Sequence, residues 1–117
     1  MENFVVEFYE SDDGKYPAED FLRSLDTKMM VKMYGLIGIL EERGNMLREP
    51  YSKYIEDGIF ELRVKVGTDI SRVLYFFYVG KKIILTNGFI KKTQKTPKKE
   101  IEKAKAYREN YLKRMVE

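Results

Sequence analysis

The sequence predicts an α+β domain, a small antiparallel-rich sheet packed by helices in the order β-α-α-β-β-β-α across residues 1–117. Three observations carry that prediction. Residues 59–66, IFELRVKV, alternate: Phe60, Leu62, Val64 and Val66 share one face, and Glu61, Arg63 and Lys65 share the other. Residues 70–79, ISRVLYFFYV, and 82–90, KIILTNGFI, are rich in β-formers and follow short turns at 67–69 and 80–81, which makes a three-stranded meander. Residues 25–40 and 97–115 instead repeat their apolar side chains at helical spacing.

The elements follow in order. NFVVEFYE (3–10) reads as a first strand with Phe4, Val6 and Phe8 on one face, and SDDGKYP (11–17) as a turn cluster. Pro17 opens a short helix through Phe21, Leu22 and Leu25. In the second helix, Leu25, Met29, Met33, Leu36, Ile37 and Leu40 form the stripe, Asp26 caps the start and Gly44 ends it. Gly35 and Gly38 weaken that helix by roughly 1 kcal/mol each relative to alanine, unless close packing uses them. Residues 45–58 read as a loop closed by an Asp57-Gly58 turn, and 70–79 as the central strand. For the last helix, Thr96 suits the cap and Pro97 the first position. It docks through Ile101, Ala104, Arg108, Tyr111, Leu112 and Met115, and presents Lys98, Lys99, Lys103, Lys105 and Lys113 on its other face.

Composition narrows the chemistry. At 117 residues, 44% hydrophobic and 35% charged, the chain suits one globular domain with a single core. No apolar run approaches the ~20 residues that cross a bilayer. MENFVVEFYES lacks the pattern of a signal peptide, so the expected location is the cytoplasm. There is no cysteine and no histidine, which excludes disulfides, zinc–thiolate sites and a serine–histidine triad. Acid–base chemistry would fall to lysine, tyrosine or carboxylates.

Charge is unevenly spread. Residues 81–117 hold 12 Lys/Arg against 4 Asp/Glu, whereas residues 1–80 hold 10 against 15. The basic end implies either a surface for a polyanion or a solvated helix face. Arg72 sits in the most β-prone stretch, flanked by Ile70, Val73 and Leu74, where an unpartnered charge is costly. One explanation is a salt bridge to Glu61 or Glu56. The other is a partner. Across the meander, Arg63, Arg72 and the Lys91-Lys92 pair come from three adjacent strands and can converge on the exposed sheet face. Arginine binds phosphate oxygens bidentately and lysine adds point charge, which suits a scissile phosphodiester. With RNA, the substrate's own 2′-hydroxyl can be the nucleophile, so the chemistry requires no metal.

The ordered series Lys53, Asp57-Gly58, Glu61-Leu62-Arg63, Arg72 before aromatics, Gly88-Phe89-x-Lys91-Lys92 and Thr96-Pro97-x-x-Glu100-Ile101-x-x-Ala104 resembles the HigB-type, phage-derived branch of the RelE/ParE toxin superfamily. The resemblance implies a RelE-like fold, with an N-terminal helical hairpin and a C-terminal helix. It implies an endoribonuclease that cleaves mRNA in the ribosomal A site without metal or cofactor. Arg72 matches the arginine that RelE-like enzymes place on the strand after the hairpin, and Arg63, Lys91 and Lys92 fall where relatives supply basic groups. Lys53, Lys65, Thr93, Gln94, Lys95, Lys98 and Lys99 are the candidate RNA-binding residues around them. The implied partners are the ribosome, mRNA and a HigA-like helix-turn-helix antitoxin, with no membrane and a monomer on its own. Tyr107 and Tyr111 are candidates for the C-terminal catalytic tyrosine of RelE, with helix packing as the alternative; the general base stays open. Two other roles remain: a ParE-like gyrase inhibitor, and a degenerate relative that only binds its antitoxin.

If the basic end is the contact surface, RNA or ribosome binding weakens steeply with salt, because each neutralised phosphate releases counterions. Titrations between low and physiological salt check this, and a flat response would remove the basic surface from the interface.

Overall fold

The computed structural model describes residues 3–92 and 94–116. The chain runs β1 (Val5–Phe8), α1 (Pro17–Ser24), α2 (Thr27–Arg43), β2 (Ser52–Glu56), β3 (Ile59–Val66), β4 (Asp69–Tyr78), β5 (Lys82–Lys91) and α3 (Lys98–Met115), with a short 3-10 turn at Gly44–Met46. The sheet order is β1-β5-β4-β3-β2, so β4 is central as its composition implied. The α+β class therefore holds, but the element order needs one more strand than expected. β2 lies within the segment read as a loop, and it pairs antiparallel with β3, Lys53 opposite Glu61 and Ser52 opposite Leu62. Its sequence, SKYIE, carries only one aliphatic residue, which hid an edge strand. Asp57 (φ 51°) and Gly58 (φ 78°) form the turn, both in the left-handed region that a two-residue hairpin requires. β1 adds to the far edge in parallel with β5, so the sheet is mixed.

Helices cover both faces. On one side, Leu22 of α1 and Met33, Leu36 and Leu40 of α2 pack on Leu62, Val73, Tyr75, Ile83 and Leu85. Asp26 caps α2 by accepting from the Met29 amide at 2.9 Å, and Gly44 ends the helix. On the other side, Ala104 and Tyr111 of α3 pack with Tyr9, Ile59, Leu74, Phe76 and Ile84. The Tyr111 ring meets Phe76 and Tyr78, and Asn87 donates to Glu100 at the opposite end of the helix. α3 thus stops short of the sheet end that carries Ile70 and Arg72. Leu112 and Met115, expected in the docking stripe, are exposed, while Glu100 is buried. Thr96 is not the cap: Pro97 holds that position, with no side-chain hydrogen bond.

A bulge in β5 decides which side chains reach the site. Leu74 pairs with Asn87 but Tyr75 pairs with Leu85, leaving Thr86 as the extra residue, its hydroxyl donating to the Leu74 carbonyl at 3.1 Å. Alternation is therefore inverted along the strand. Ile84 and Asn87 both face α3, and Phe89 and Lys91 follow on that face opposite Arg72 and Ile70. Gly88 then faces α1, where a Cβ would strike the Phe21 ring.

Gly88→Ala is accordingly expected to destabilise the domain by about 1–3 kcal/mol, through overpacking between α1 and β5. Urea unfolding checks this, and an unchanged midpoint would mean that α1 shifts freely.

Candidate functional site

The site lies beyond the start of α3, on the face that α3 leaves uncovered. Arg63 of β3 and Arg72 of β4 are direct register partners, so both project from the same face of the sheet. Glu61, two residues before Arg63, shares that face. Its carboxylate is the hub. Glu61 Oε1 accepts from Arg63 Nε at 2.5 Å and lies 3.8 Å from Arg72 Nη1, while Oε2 accepts from the Thr96 hydroxyl at 2.7 Å. The Glu61 and Arg72 side chains are both 0% exposed, whereas Arg63 keeps 13%.

The segment leading to α3 closes over the pair. The Gln94 carbonyl accepts from Arg63 Nη2 at 2.6 Å and from Arg72 Nη1 at 3.0 Å. The Gln94 side-chain oxygen accepts from Arg63 Nη1 at 2.9 Å. Below, the Arg72 guanidinium lies 5.8 Å from the centre of the Phe89 ring. Arg72 Nε and Nη2 are buried with no hydrogen-bond partner among the described residues. Burial lowers the pKa of Arg72; Glu61 opposes this and the Arg63 cation reinforces it.

The structure shows the first of the two explanations for Arg72. It is salt-bridged to Glu61, and it also stands beside Arg63. It is not on an exposed face, however, because Gln94 covers it. Glu56, the other carboxylate considered, instead accepts from Lys105 at 2.6 Å.

Beside Arg63 opens a cleft of about 350 Å³ lined by Glu49, Pro50, Tyr51, Arg63, Lys65, Ile70 and Gln94. The Arg63 amide donates to the Tyr51 carbonyl at 3.0 Å, which fixes Tyr51 next to the guanidinium. Lys91 is exposed at the end of β5, on the face of Arg72 through its pairing with Ile70; Lys92 is exposed just past the strand. Lys53 faces the same way, opposite Glu61. Lys95 and Lys98 line a separate cleft with Glu56, Glu102 and Lys105, so carboxylates are mixed into their surroundings. Lys99 is exposed on the first turn of α3, and Thr93 lies outside the described residues. Tyr107 stacks on Tyr9 and Tyr111 donates to Glu7, so both are packing residues. Among the described residues, no group of three or more His, Cys, Asp and Glu is placed to hold a metal ion.

Sequence reasoning offered Glu61 as a partner of Arg72 but missed that the same carboxylate holds Arg63, and it missed Thr96 as the hydroxyl donor and Tyr51 and Ile70 as cleft walls. The Glu-x-Arg spacing on one strand face, with Arg72 across the hairpin, was the available signal for the first. Nothing local marked Thr96, because its partner is 35 residues away.

A mixed sheet with a helical pair on one face and a C-terminal helix on the other is consistent with a RelE-like fold. The chain belongs to the family described as phage derived protein Gp49-like (DUF891), whose model it matches over residues 20–109. That family lies within the RelE/HigB-like toxin group, and its RelE-like relatives are endoribonucleases. Comparison with curated proteins gives no match. No helix among the described residues is long and apolar enough to cross a membrane.

Glu61→Ala strips a fully buried arginine of its carboxylate, and a loss of about 3–5 kcal/mol is expected on that ground. Glu61→Gln keeps the shape and is expected to lose less. Denaturant unfolding of both variants checks the order, and equal midpoints for Glu61→Ala and the parent chain would mean that the carboxylate is not the anchor.

Proposed function

We propose that this chain is a HigB-type toxin that cleaves mRNA on the ribosome and is neutralised by a helix-turn-helix antitoxin. One observation carries the proposal: two guanidinium groups from adjacent strands point their donors at a common oxygen. Planar donor forks of this kind match the non-bridging oxygens of a phosphodiester. In the proposed reaction the substrate 2′-hydroxyl gives up its proton and attacks phosphorus. The bond to the 5′ oxygen breaks, and that oxygen takes up a proton. Arg63 and Arg72 stabilise the charge that accumulates on the pentacoordinate phosphorus. Lys65, Lys91 and Lys92 hold the flanking backbone, and Tyr51, 55% exposed beside Arg63, offers a ring on which a base can stack.

For the antitoxin, a groove of about 440 Å³ runs beside α2. Its floor is Gly35, Leu36, Ile39, Tyr51 and Val64, and its rim carries Lys32, Arg63 and Lys65. An apolar segment with carboxylates fits that chemistry, and it would reach Arg63 directly.

One observation weighs against a nuclease site, and the alternative role is inhibition of gyrase through protein contacts. Arg72 is fully buried and tied to Glu61, as a structural arginine would be. The two roles separate cleanly by experiment. On ribosomes programmed with mRNA, primer extension is expected to show cleavage by the parent chain and a loss of about 100-fold or more with Arg63→Ala, the scale of removing one transition-state donor. Cleavage that survives Arg63→Ala would take the guanidinium pair out of the mechanism. Inhibition of gyrase supercoiling without mRNA cleavage would establish the second role.

A further inference from the structure

We infer that Gln94 is an internal occupant of the oxyanion position between Arg63 and Arg72, so that a phosphodiester enters only by displacing it. The inference rests on the nuclease reading for the identity of the incoming anion, and it adds a means of regulating that site. It also reverses the role expected of Gln94, from a ligand of RNA to its competitor.

The geometry is that of a bound anion. Gln94 places two oxygens on the Arg63 fork, the main-chain oxygen on Nη2 and the side-chain oxygen on Nη1. The main-chain oxygen also takes Nη1 of Arg72. A carboxylate or phosphate engages a guanidinium with the same two-oxygen pattern. Gln94, however, is neutral. Among the described residues the two cations face a single carboxylate, Glu61, which balances one of the two positive charges. Two donors of Arg72 also remain unpartnered among the described residues. An oxyanion would supply both the missing charge and further acceptors, in bonds with donor and acceptor both ionised, whereas those to Gln94 carry charge on the donor alone.

Displacement does not require the core to open. Gln94 is exposed, whereas the arginines beneath it are held from below by Glu61 and Phe89. What keeps Gln94 in place is its own pair of acceptors and the Thr96 hydroxyl, which ties the chain to Glu61 two residues later. The occupant therefore sets the fraction of molecules competent to bind, and apparent affinity falls by that fraction.

The test uses a fluorescent 2′-O-methyl RNA oligonucleotide, which cannot be cleaved, followed by anisotropy at fixed salt. Gln94→Ala removes one acceptor at an exposed position, and Thr96→Val removes the tether with little change of shape. Each is expected to bind about three- to tenfold more tightly than the parent chain, as for a competent fraction raised by that factor. Adding Arg63→Ala should abolish the gain. Unchanged or weaker binding by Gln94→Ala would overturn the inference, whether or not the parent chain cleaves mRNA. Tighter binding without cleavage by parent or variant would sustain the occupant and remove the nuclease reading.

Discussion

The carboxylate of Glu61 holds together two things that would otherwise conflict, a buried cation in the central strand and a site rich in positive charge. Arg72 lies between Val73 and Ser71, both buried, on the central strand of the sheet. An isolated guanidinium there would cost several kcal/mol in lost hydration. Glu61 offsets that cost from the adjacent strand, and it needs no long loop to do so, because the hairpin of β3 and β4 sets the register. The same carboxylate fixes Arg63 through its Nε, leaving both terminal nitrogens of that fork for other partners. Folding and site assembly thus share one interaction.

That sharing explains the layout around it. α3 cannot extend over Arg63 without burying a second charge, and its first turn begins where the Asn87 side-chain nitrogen donates to Glu100. The short segment before α3 crosses the remaining gap and contributes acceptors rather than side-chain bulk. The result is a sheet end where Ser71 Oγ and Arg72 Nε and Nη2 stay buried without a hydrogen-bond partner among the described residues, beside an open cleft whose walls mix an aromatic ring, aliphatic side chains, a carboxylate and two cations.

Much of the scaffold was legible because its signals are local. Asp26 caps α2, Gly44 ends it, the alternation of β3 sorts its two faces as expected, and the Asp57-Gly58 turn lies where its φ angles demand. Other features depend on distant partners, and there the sequence was a poor guide. β2 looks like a loop because its pairing comes from β3, not from its own composition. Thr96 looks like a helix cap but serves a carboxylate far along the chain. For Gly35 and Gly38 the sequence left open whether close packing uses them, and a Cβ on either would meet nothing within 4 Å. For the site, residue types and strand neighbours were readable, whereas depth was not. Charge pattern shows that arginines can gather; it does not show that a glutamine lies on top of them.

The extra residue at Thr86 has a consequence for how this strand can be edited. Upstream of it, odd-numbered side chains serve the helical hairpin; downstream, odd-numbered side chains serve the cationic face. β5 is therefore two half-strands of opposite side-chain phase joined at a seam. Excising Thr86 would leave Asn87 opposite Leu74 and every downstream side chain on its present face, whereas straightening the strand with Thr86 retained would send Phe89 and Lys91 beneath the hairpin and point a glycine at Arg72. A single codon lost beyond the seam, at Gly88, would by contrast turn Phe89 and Lys91 to the other face without altering either residue.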